Sequence, residues 1–145
     1  MRRAIVLAAG IVLALPPPAL AHVTVRPRES KPGAEERYTV RVPTEGAVAT
    51  TSVHIEIPEG VTVLEVEQAE GATFETEKQG DRIVGITWKK DIKPKEASEF
   101  FFRARNPAGG AELTWKAHQH FADDTVADWV GPAGDRRPAA VTKLQ

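Results

Sequence analysis

The chain has no cysteine, and its one methionine is Met1. Without thiols there is no disulfide framework and no thiolate nucleophile. Without internal sulfur of either kind, any bound metal is held by nitrogen and oxygen. That excludes the His₂Cys site of blue-copper electron carriers and any thioether site for Cu(I). An excess of one charge is missing too: 19 basic residues meet 20 acidic ones, a net charge of −1. No basic cluster marks a nucleic acid or an anionic membrane as partner. There is no G-x-S-x-G, no H-E-x-x-H and no glycine-rich phosphate loop, so nothing in the chain announces an enzyme. No long segment shows helical periodicity.

One long apolar run is present, Ala4 to Leu15. It is shorter than the roughly 20 residues that cross a bilayer. Arg2 and Arg3 precede it, Pro16-Pro17-Pro18 ends it, and Ala19-Leu20-Ala21 places small residues at the positions a signal peptidase reads. This is the pattern of a cleaved secretory signal. Residues 1–21 are expected to be removed, leaving His22 as the first mature residue of a periplasmic or secreted protein. No later run could span a membrane, so no anchor is expected after cleavage.

From His22 onward short alternating segments are separated by Pro/Gly turns. Strands are predicted at His22–Pro27, Tyr38–Pro43, Thr51–Ile57, Val61–Val66, Thr73–Lys78, Arg82–Trp88, Ser98–Arg105, Leu113–Phe121 and Thr125–Val130. Turn signals about every ten residues argue for an all-β, antiparallel β-sandwich. Residues 22–132 form its single domain, and the polar, Pro/Ala-rich residues 133–145 are expected to be a disordered tail.

An N-terminal histidine brings an α-amine and an imidazole Nδ1 in one residue, and the two can close a chelate ring on one ion. The amine has a pKa of about 7.7–8.0, so near neutrality it yields its proton to a metal at little cost. Two nitrogens completed by an oxygen suit the tetragonal preference of Cu(II). His118 and His120 are a rival pair. They share one face of a strand, but Trp115, Ala117, Gln119 and Phe121 take the opposite, apolar face, so the two histidines are expected to face solvent. His54 sits with Ser52 and Glu56 on an outward face. Taken alone, Glu45 reads as a solvated loop carboxylate and Trp129 as an aromatic closing one end of the sandwich. Tyr38 and Trp115 read as core.

The wider pattern joins these residues. Ala21-His22-Val23-Thr24-Val25-x-Pro27, then Tyr38-Thr39-Val40-Arg41-Val42-Pro43-Thr44-Glu45, Ala49-Thr50-Thr51 and Ile57-Pro58-Glu59-Gly60-Val61 resemble the YcnI-like family of exported bacterial proteins. Gln119-x-Phe121-x-Asp123 and Val126-x-x-Trp129-x-Gly131 extend the resemblance. It implies a cupredoxin-like or immunoglobulin-like sandwich binding one Cu(II) per chain through a single-histidine brace. The positions that match are His22, Glu45 and Trp129. Indole has no lone pair to donate, so Trp129 is expected to border the ion and not to ligate it. Asp123-Asp124 stands where relatives often have Asp-Gly, Phe74 stands near a tryptophan of many relatives, and the C-terminal membrane helix of many members is absent.

The expected function is a copper carrier, chaperone or acquisition factor. Its partners would be the copper ion and a membrane copper transporter or another exported copper chaperone. A mono-copper oxidative enzyme, which needs a second histidine at the ion, and a structural or interaction sandwich without metal are the alternatives.

Overall fold

The computed structural model describes residues 22–145. The signal peptide expected at residues 1–21 lies outside them. The described residues contain strands and no α-helix. The twelve strands are β1 (Thr24–Arg26), β2 (Glu29–Ser30), β3 (Glu35–Pro43), β4 (Thr50–Glu56), β5 (Thr62–Val66), β6 (Thr73–Gln79), β7 (Arg82–Ile92), β8 (Ala97–Arg105), β9 (Glu112–Trp115), β10 (Ala117–Phe121), β11 (Val126–Trp129) and β12 (Ala140–Leu144). They form a four-stranded sheet in the order β1-β3-β8-β5, a five-stranded sheet β11-β10-β4-β7-β6 and a small sheet β2-β12-β9. All pairings are antiparallel except β12 with β2. The antiparallel sandwich expected from the alternation is the architecture found.

The alternation also decides which side chains meet. Successive strand residues point to opposite faces, so Tyr38, Val40 and Val42 of β3 turn inward together. Across the pair, Tyr38 stands opposite Phe102 and Val40 opposite Phe100. The five-stranded sheet answers with Val53, Ile55, Ile86 and Trp88, each no more than 1% exposed. The indole of Trp88 stacks on Phe100 of the facing sheet at 5.2 Å between ring centroids. Tyr38 lies 4.8 Å from Trp115, so all three sheets share one core.

Two expectations need correction. Leu113–Phe121 is not one strand. The chain leaves the small sheet after Trp115 and enters the five-stranded sheet at Ala117, and the Lys116 carbonyl between them accepts a hydrogen bond from the Glu56 N–H at 2.9 Å. Inward facing survives the transfer, because Leu113, Trp115, Ala117 and Gln119 are all buried.

The tail expected at residues 133–145 is not disordered over its length. Residues 140–144 pair with β9 in the register Ala140↔Trp115 to Lys143↔Glu112, and with β2 through Lys143↔Glu29 and Leu144↔Ser30. Composition concealed an alternating Val141-Thr142-Lys143-Leu144, in which Thr142 and Leu144 are buried. The sandwich therefore runs past residue 132.

Candidate metal centre

Strand register brings the first described residue to the site. Val23 and Val25 are buried and fix the entering segment against the core. β1 pairs antiparallel with β3, with Thr24 opposite Arg41. Continuing that register two residues outward places His22 beside Pro43, where β3 ends. Thr44 then turns into the core at 1% exposure while Glu45 stays at the surface. Lysine and glutamate backbone groups hold that turn: Thr44 N donates to Glu96 O at 2.8 Å, and Lys95 N donates to Thr44 O at 2.7 Å.

From the other sheet, β11 ends on Trp129, 8% exposed. Its ring lies 5.5 Å from the His22 ring at an interplanar angle of 52°. His22, Glu45 and Trp129 all line one open pocket of about 390 Å³, together with Gln119, Phe121 and Asp123. Arg136 and Arg137 also border it. The structure thus gathers the three residues singled out in the sequence, although they come from three separate parts of the chain. Among the described residues, no group of three or more His, Asp or Glu side chains is arranged to hold a metal. Three side chains of that kind line the pocket: the imidazole of His22, the carboxylate of Glu45, and the carboxylate of Asp123, which is engaged by Thr125.

One of the lining residues, Gln119, has a role the sequence did not reveal. Gln119 is 2% exposed. Its Oε1 accepts from the indole Nε1–H of Trp129 at 3.0 Å. Its Nε2 donates to Pro43 O at 2.9 Å and to Thr50 Oγ1 at 2.8 Å. A signal was present: a glutamine at an inward strand position must find partners, since an unpaired buried amide is costly.

The Asp123-Asp124 turn keeps its shape without glycine. Asp124 itself takes a left-handed φ of 67°, which Asp tolerates better than other non-glycine residues. Asp123 Oδ1 accepts from Thr125 N at 3.1 Å and Thr125 Oγ1 at 2.6 Å, locking the turn. Phe74 pairs with Trp88 and packs against the core, away from the pocket.

The rival histidines do not reach this pocket. Gln119, between them, faces inward, so His118 and His120 project from the outer face of the five-stranded sheet. His118 is held there between Asp128 Oδ1, 2.6 Å from its Nδ1, and Glu56 Oε2, 2.8 Å from its Nε2. Burial works against its charged form, but the hydrogen bonds and charges of Asp128 and Glu56 outweigh this and raise its pKa. His54 lies on the same outer face, opposite His118. It is half-buried, its Nδ1 lies 2.8 Å from Thr87 Oγ1, and burial first, then the neighbouring histidines, lower its pKa.

A family model described as a domain of unknown function, DUF1775, matches residues 22–144. The copper-binding protein CutI of Bacillus subtilis (strain 168) is 33% identical over 138 residues, covering 93% of this chain and 68% of that protein. An uncharacterized protein from Nocardia farcinica with an immunoglobulin-like fold is similar at a TM-score of 0.76 and 25% identity, over 86% of this chain and 98% of that one. A non-cellulosomal cohesin from Archaeoglobus fulgidus shares the fold alone, at a TM-score of 0.53 and 11% identity over 86% of this chain and 90% of its own.

Proposed function

Because this chain belongs to the DUF1775, or YcnI-like, family, we propose that it is an exported Cu(II)-binding protein, a copper carrier or acquisition factor of the periplasm or cell exterior. The observation that carries the reading is the convergence of His22, Glu45 and Trp129 on one pocket. A relative at 33% identity that is named for copper binding supports the choice of metal.

The donor set fits Cu(II) once the bond between Ala21 and His22 is cut. The freed α-amine and the imidazole of His22 would supply two nitrogens, and Glu45 an oxygen, matching the ion's preference for nitrogen and oxygen in a tetragonal array. One ion per chain follows from one amino terminus. Trp129 would exclude water from one side and cannot itself donate an electron pair. Sulfur-free donors favour the oxidised ion that an exported protein meets. A membrane copper transporter or a second exported chaperone would give or take the ion. We read the protein as a carrier and not an oxidative enzyme, since the second histidine such chemistry needs would have to be His118 or His120, and neither lines the pocket.

The test compares the processed chain, beginning at His22, with a chain carrying one additional residue before it. In the latter the His22 nitrogen is an amide, neither basic nor free, and the chelate loses one arm. Competition against a Cu(II) chelator should show tight binding by the first and binding weaker by orders of magnitude in the second, with both equally folded by circular dichroism. Binding by the processed form should weaken as pH falls, since protons compete first for the amine and then for the imidazole. Equal affinities would place the metal elsewhere.

A further inference from the structure

Gln119, a buried residue of the pocket lining, makes three hydrogen bonds, and their directions can be assigned. Indole Nε1–H is a donor only, so the Gln119 oxygen must face Trp129. Both Gln119 N–H bonds then point the other way, to Pro43 O and Thr50 Oγ1. Thr44 Oγ1 donates its one hydrogen to Ile92 O at 3.0 Å. In the 2.7 Å contact between Thr44 Oγ1 and Thr50 Oγ1, Thr50 is therefore the donor. The result is a one-way relay from the Trp129 indole through Gln119, Thr50 and Thr44 to the Ile92 carbonyl. The amide cannot be turned over without setting N–H against N–H and oxygen against the Pro43 carbonyl. Each member from Gln119 to Thr44 is at most 2% exposed, so water cannot take over a broken link.

Two of the three partners of Gln119, Trp129 and Pro43, line the pocket. Trp129 faces the His22 ring at 5.5 Å. Pro43 and Thr44 are the two residues that carry Glu45. Gln119 sits on β10 and is bonded to Trp129 on one side and to Pro43 on the other.

We infer that Gln119 is a positioning residue for the metal pocket, setting the Trp129 wall and the Glu45 arm at a fixed separation before any ion arrives. This rests on the copper reading above. Ion sites depend on partners of this kind because a ligand held in place in advance loses little freedom on binding, and removing such a partner typically weakens affinity about 10–100-fold. A glutamine that served packing alone would change stability and leave the ion's surroundings untouched.

The experiment uses the processed chain, Cu(II) as probe, chelator competition for affinity, and the EPR spectrum for the ion's surroundings. Gln119→Met keeps the volume and removes all three bonds. It should melt cooperatively, bind Cu(II) about 10–100-fold more weakly well below its melting temperature, and give a broadened spectrum. Gln119→Glu should restore most of the affinity at pH 6, because a buried carboxyl stays protonated. It then accepts from the indole and donates to Pro43. If Gln119→Met does not fold, Thr50→Val breaks the relay at a residue that does not line the pocket, and should still weaken binding and shift the spectrum. Wild-type affinity and an unchanged spectrum in whichever of these variants folds, with only the melting temperature lowered, would overturn the positioning role and leave the copper reading standing. A processed wild-type chain without tight Cu(II) binding would overturn both.

Discussion

Replacing Thr142 with valine removes a hydroxyl from a side chain that is 0% exposed. That hydroxyl accepts from the Trp115 indole at 3.1 Å and donates to Pro27 O at 2.7 Å. Valine matches the shape, so little packing is lost. The Trp115 N–H, on a residue 1% exposed, is left without a partner at a cost of about 1–3 kcal/mol. The Pro27 carbonyl, half-buried, adds less, and the extra methyl returns about 0.8 kcal/mol. The net is about 2 kcal/mol, a large part of the roughly 5–15 kcal/mol that holds a domain folded. Urea denaturation at constant m-value should read that loss directly, and the Tm should fall by about 5–10 °C. Thr142→Ser is the control. It keeps both hydrogen bonds and gives up one methyl, about 1 kcal/mol. A Thr142→Val chain at least as stable as Thr142→Ser would refute the reasoning and return the C-terminal segment to the disordered tail that its composition suggested.

Two further outcomes follow from side chains already placed. Trp88 and Trp115 are buried in the core, and Trp129 is the tryptophan lining the pocket. Cu(II) should therefore quench part of the fluorescence, and Trp129→Phe should abolish most of that quenching; a signal quenched as before would move the ion away from Trp129. His118 has a raised pKa in the folded state, so its ion pairs with Glu56 and Asp128 stabilise fully below about pH 6.5 and fade as pH rises through the raised value. After solvent screening the effect is below about 1 kcal/mol. Urea midpoints of wild type and His118→Gln should differ more at pH 5.5 than at pH 9, and a difference independent of pH would count against the pairing.

The period-two pattern made the sandwich legible, because a strand buried on one face must alternate, and Tyr38 and Trp115, which it reads as core, are buried. It also put Gln119 inward and His118 and His120 outward. What it could not give was sheet membership. Leu113–Phe121 alternates without a break, yet the chain changes sheets at Lys116, and that change depends on which neighbours are available and not on the local residues. The tail was misjudged from composition, in which Pro138, Ala139 and Ala140 outweighed the alternation in Val141–Leu144. The gathering of His22, Glu45 and Trp129 was suggested by resemblance, since nothing local to Glu45 distinguishes it from a solvated loop carboxylate. The hydrogen-bonded set around Gln119 is a property of three distant segments meeting, and a linear pattern carries no trace of the meeting.

The parallel pairing of β12 with β2 joins the last strand to the beginning of the domain. Lys143 N bonds to Arg28 O at 2.8 Å, Gln145 N bonds to Ser30 O at 3.0 Å, and the Thr142–Pro27 bond spans 115 residues of sequence. A loop of that length closes late, after its conformational entropy has been given up. A chain still being made on a ribosome cannot make these bonds until residue 144 has emerged. Until then the small sheet lacks its middle strand, and Trp115 lacks the cover of Thr142. Closure of the small sheet is thereby timed by Ala140–Leu144, and a chain that stops short of them leaves Trp115 open to water and to proteases.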